Sequence, residues 1–86
     1  MKATRVLHRA AEIVDSRRQS YGEPAAFFEA VAKRWSLTLG LPITPAQVIL
    51  CQLDIKHERL CRNPEHPDSI IDTAGYAACL EEVRSQ

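Results

Sequence analysis

Apolar residues in this chain recur every three or four positions, in four separate stretches, and its Val and Ile residues keep to that spacing. That pattern is the tightest constraint on the fold. A period near 3.6 gathers side chains on one face of a helix, whereas a half-buried strand needs a period of two. Leu7, Ala10, Ala11 and Val14 fall at i, i+3, i+4 and i+7, with Val6 and Ile13 widening the stripe. They predict a first helix over about 2–18, with Thr4 as a candidate N-cap. Gln19-Ser20-Tyr21-Gly22 then breaks the pattern. Phe28, Val31, Ala32, Trp35 and Leu39 form the stripe of a second helix over 24–39, with Phe27 alongside. Pro24 suits its first position, and Gly40 stops it.

The third helix, over 45–62, has the best-marked start. Thr44 and Gln47 form a capping box, Pro45 sits between them, and Ile43 with Val48 forms a hydrophobic staple. Its rows Ile49-Leu53-Lys56-Leu60 and Val48-Ile55 make a wide apolar band. The fourth helix is expected over 69–84, capped by Asp68 or Ser69. Ile70, Ala74, Ala77 and Ala78 give it a face of mostly small side chains, which predicts close packing. Tyr76, Leu80 and Val83 lie on a neighbouring row. The expected fold is all-α: a compact four-helix antiparallel bundle, one domain over 1–86, joined by short loops.

A chain of 86 residues buries a thin core, so self-association as a twofold dimer is expected. Eleven basic and eleven acidic residues cancel. A zero balance argues against holding duplex DNA by a general basic field, and against a polybasic membrane contact. The charge is nevertheless divided. Residues 1–34 carry seven basic and four acidic side chains, and residues 35–86 carry four and seven. Cys51, Cys61 and Cys79 are odd in number and follow no recognisable secretory signal, so a cytosolic setting with reduced, buried thiols is expected. The longest apolar run, Val48–Cys51, is too short to span a bilayer.

Three groups of residues could carry chemistry. Lys56 lies within an apolar row, and Arg59 one turn past Ile55; a charge there needs a partner. Asp68 and Asp72 share one side of the fourth helix, across a short loop from them. These four residues read either as a salt-bridge network or as a polar site, with the bases on phosphate and the carboxylates on a metal or sugar. Asp54, His57, Glu58 and Cys61 share another stripe. Asp54 and Glu58 joined by Asp68 or Asp72 could bind Mg2+, or could form a solvated face with pairs such as Glu58–Arg62. Arg17, Arg18, Ser20 and Tyr21 lie just before a helix N-terminus, where an anion is favoured. Tyr21 and Trp35 could stack on a base or pack in the core. No glycine-rich phosphate loop and no paired Cys or His spacing for zinc is present.

The order Tyr21-Gly22, Phe28, Trp35, Ile43-Thr44-Pro45, Lys56-x-x-Arg59-Leu60, Asn63-Pro64 and Asp68-Ser69-x-x-Asp72-x-x-Gly75-Tyr76-Ala77 resembles a family of short helical proteins of phages and prophages. That family's function is not established. The likeness runs from about Leu7 to Val83, and its last segment is the most specific. More remotely, the Lys-x-x-Arg and Asp-x-x-x-Asp-x-x-Gly-Tyr elements resemble the helical domain associated with phage nucleotide modification. More remotely again, they are similar to all-α nucleoside-triphosphate pyrophosphohydrolases of MazG type. Those enzymes hold magnesium on Glu-x-x-Glu and Glu-x-x-Asp clusters. The acidic pairs here, Asp54/Glu58 and Asp68/Asp72, have three intervening residues, and the tandem glutamate motif is missing. The resemblance implies a shared role, structural or ligand-binding, for Lys56, Arg59, Asp68 and Asp72.

Two functions follow. One is binding of a nucleotide, with or without Mg2+: Lys56, Arg59, Arg18 and Tyr21 on the ligand and phosphate, Asp68, Asp72, Asp54 and Glu58 on metal or ribose, and Trp35, Gly75 and Tyr76 as structure. The other is a non-enzymatic module that binds a host protein. Sequence-specific DNA reading is weaker, because the helix after Gly40-Leu41-Pro42-Ile43 offers only Gln47 to the bases.

Overall fold

A computed structural model describes residues 2–84. Over them the chain is all-α, with four helices: α1 (Ala3–Tyr21), α2 (Pro24–Leu39), α3 (Pro45–Arg62) and α4 (Pro67–Arg84). No helix among the described residues is long and apolar enough to cross a membrane.

Three of the helix ends differ from the sequence reading. α1 starts after Lys2 without a side-chain cap, so Thr4 lies inside it. It continues through Tyr21, because Gln19, Ser20 and Tyr21 all tolerate helical backbone. Gly22 ends it at φ 83°, a conformation costly for any residue with a Cβ. The Arg17–Tyr21 segment is therefore the last turn of α1 rather than a loop. Gly40 closes α2 in the left-handed helical conformation, at φ 73° and ψ 24°. There Ser36 Oγ accepts from Ile43 N–H at 2.9 Å and donates to Ala32 O at 2.8 Å, fastening the turn. At α3 the capping box forms in both directions: Gln47 N–H donates to Thr44 Oγ1 at 3.1 Å, and Thr44 N–H donates to Gln47 Oε1 at 2.9 Å.

α4 starts two residues before the expected position. His66, not Asp68 or Ser69, caps it. His66 O accepts from Ile70 N–H at 3.2 Å, and His66 Nδ1 accepts from Ser69 N–H at the same distance. An imidazole with a free Nδ1 lone pair can replace the usual Ser or Asp oxygen, and Pro67 is well placed behind it. Ser69 is fully buried, its hydroxyl 2.7 Å from His66 Nδ1.

α4 is the organising helix. It packs on the other three, whereas α1 and α3 do not pack on each other and α1 touches α2 only slightly. α2 with α3 and α3 with α4 form hairpins across their short loops. α1 crosses α4 with contacts that advance in the same sense, Val14 beside Gly75 and Arg18 to Glu82. The core is small, as the length implied. Phe28, Ala32, Val48 and Ile49 are buried together, and Trp35, Leu53, Tyr76, Leu80 and Val83 pack around them.

Several side chains read as buried are not. Leu7 lies on the turn before buried Ala10 and is 60% exposed; Leu39, at the end of α2, is 57% exposed. On α4 the buried row runs through Ile71 rather than Ile70, leaving Ala77 and Ala78 in solvent. Ser69 is buried with Ile71. Cys51 and Cys61 are exposed, because the wide apolar band of α3 meets α2 and α4 but not α1. Only Cys79 is half-buried, and no disulfide forms.

Candidate functional site

A cavity of about 330 Å³ opens between α1, α2 and α4, with α3 as its floor. Its walls follow from the sparse contact between α1 and α2, which leaves the space above the core unfilled. Four aromatic rings run along it in sequence. Tyr21 and Phe27 have centroids 6.0 Å apart, Phe27 and Phe28 5.2 Å, and Phe28 and Tyr76 6.4 Å, the last two pairs edge-to-face. Ile13, Val14 and Ile71 add aliphatic surface. Few polar groups enter: Arg17, Arg18, Gln52, Asp72 and the thiol of Cys79.

Arg18 is committed to carboxylates on both sides. It pairs with Glu23, in the two-residue link to α2, and with Glu82 of α4. The hydrogen bond it donates to Glu82 raises its pKa above the ordinary guanidinium value, against the opposing effect of desolvation. Arg17 has no salt-bridge partner among the described residues. Lys56 Nζ lies 3.0 Å from Asp72 Oδ2, the two side chains only 13% and 25% exposed. Lys56 does not itself line the cavity but holds the carboxylate that does. Burial raises the pKa of the Cys79 thiol, with the Glu82 charge adding to the effect.

The remaining candidates separate. Arg59 and Asp68 are exposed and form no ion pair among the described residues, so the four-membered network reduces to Lys56–Asp72. Asp54 and Glu58 are exposed, and Glu58 accepts from Arg62 Nε at 2.7 Å. No three His, Cys, Asp or Glu side chains among the described residues converge as a metal ion requires, so the cluster expected around Asp54, Glu58, Asp68 and Asp72 does not assemble. Tyr21 stands on the cavity wall, 64% exposed, while Trp35 packs against the core instead. Gly75 and Tyr76 line the cavity.

A family model described as "Domain of unknown function (DUF6378)" matches residues 5–84. This chain belongs to the DUF6378 family. The DUF6378 chain is 33% identical over 81 residues to the Gene 55 protein of Mycobacterium phage L5, a match covering 92% of this chain and 52% of that protein. It is 30% identical over 79 residues to the Gene 55 protein of Mycobacterium phage D29, covering 91% and 52%. The chain thus spans about half the length of the curated relatives it matches, and those relatives are phage proteins. No solved structure matches it.

Sequence reasoning missed several cavity residues of this DUF6378 chain: Gln52, Ile71, Cys79 and the outward role of Phe27. Gln52 did leave a signal. It lies four residues from both Val48 and Lys56, a polar side chain on a row that begins in the core. Phe27 and Cys79 left none, because the gap beside α1 depends on how a helix remote in sequence crosses α4.

Proposed function

We propose that this chain binds a small phosphorylated ligand with a flat apolar part, most simply a nucleotide, in the cavity beside α1. The observation that carries this reading is the composition of the cavity wall: a chain of aromatic rings, with Arg17 and Arg18 among its few polar groups. Its volume lies at the small end of the range for ligand pockets. Gln52 and Asp72 offer a donor and acceptors to the polar edge of a base or to a sugar. The ion-paired groups nearby offer no spare cation: Glu23 and Glu82 share Arg18, leaving one excess negative charge, and Lys56 meets Asp72. Arg17 is then the cation left for an anion, which favours a ligand with one phosphate over one with three. The remote likeness to the phage nucleotide-modification domain points the same way.

Titration with nucleoside mono-, di- and triphosphates, with and without Mg2+, followed by NMR, tests this. Saturable shifts at Tyr21, Phe28 and Gly75 that vanish in a folded Arg17→Ala variant support it. No response to any nucleotide would sink it.

A second reading, an interaction module, is supported by a different surface. Leu37 is 85% and Leu41 53% exposed, and with Pro42 and Pro45 they line a shallow apolar depression at the α2–α3 turn. Such a surface suits a protein partner, including a second copy of the chain. Sedimentation of wild type and Leu37→Glu over a concentration series tests the second copy. A monomer at every concentration removes the dimer.

A further inference from the structure

We propose that Gly75 is a specificity-determining residue of the cavity, leaving the backbone of α4 bare so that the flat face of an aromatic heterocycle can rest on it. The proposal rests on the nucleotide reading of the same pocket. Gly75 lies well inside α4, where glycine weakens a helix relative to alanine. Two ordinary reasons for a glycine are absent. Its backbone does not have a positive φ, unlike that of Gly22 or Gly40. Nor does helix packing demand it: a Cβ built there meets only Val14 Cγ2, at 3.8 Å, which is normal contact. The third reason remains. Gly75 lines the cavity, between Asp72 and Tyr76 on its own helix and opposite Val14. Apolar atoms rest about 3.5–4.0 Å apart, so a ring in contact with the helix backbone has no room for an added methyl group beneath it. The residue sets the depth of the pocket on its α4 wall, next to Tyr76.

The test compares wild type with Gly75→Ala, using the 5′-monophosphates of adenosine, guanosine, cytidine and thymidine as probes. Affinity is read by NMR titration and the Tm by calorimetry. The expected result is divergence: Gly75→Ala melts higher, yet binds the best monophosphate at least about tenfold more weakly, because the methyl overpacks an occupied site. Equal affinity in the two proteins would overturn the role of Gly75 while leaving the pocket reading in place. A lower Tm in Gly75→Ala would also overturn it, by showing that packing needs the glycine. Failure of wild type to bind any of the four would remove both the pocket reading and this one.

Discussion

Lys56 Nζ lies 3.0 Å from Asp72 Oδ2 across the seam between α3 and α4. With both side chains mostly shielded, removing either leaves the other charge poorly solvated. Lys56→Met and Asp72→Asn should each cost about 1–3 kcal/mol in urea unfolding; the residual exposure keeps the loss below that of a fully buried pair. The double variant should lose less than the sum, with a coupling of about 0.5–3 kcal/mol. Additive losses would show that the pair does not hold the hairpin.

His66 caps α4 through its ring. His66→Ala should destabilise the chain by about 1 kcal/mol, the usual loss for a side-chain N-cap. His66→Asn should recover most of it, since an amide oxygen can take the place of Nδ1. Chemical denaturation of the three proteins measures both effects. If His66→Ala is neutral, the bonds to Ser69 contribute nothing.

The thiols should separate by reactivity. Iodoacetamide should modify exposed Cys51 and Cys61 quickly and Cys79 slowly, with the Cys79 rate rising only at a pH above the ordinary thiol range. The sign for stability follows. A raised folded pKa stabilises the protonated thiol, so this contribution is complete below the unfolded-state pKa. It declines from there and is lost as pH rises through the folded value. Mass spectrometry of timed samples reads the site order, and equal rates at all three cysteines would contradict it.

The first three helices were legible because each is amphipathic over several turns, and two carry explicit end signals; α4, which packs on the other three, was legible from its helical spacing rather than from one apolar face. Thr44, Pro45 and Gln47 act within one turn, and Gly40 acts on its own backbone. What was not legible depended on partners distant in sequence. Lys56–Asp72 could be anticipated because the α3–α4 loop is short. Arg18–Glu82 could not, because nothing local fixes how α1 crosses α4. Ser69 read as a cap by its type, yet the imidazole three residues earlier fulfils that role, and packing against distant helices buries Ile71 in place of Ile70. The carboxylates of Asp54 and Glu58 share a helix face as their spacing requires, but no second helix brings acidic groups to meet them.

α1 leans on α4, barely touches α2 and never meets α3, while α2, α3 and α4 share the buried cluster. α1 is thus attached mainly through a single neighbour, at its last turn by Arg18 reaching Glu23 and Glu82. The buried cluster of Phe28, Ala32, Val48 and Ile49 contains no residue of α1. Amide protons of α1 should therefore exchange with solvent before those of α3, whose Val48 and Ile49 lie in that cluster.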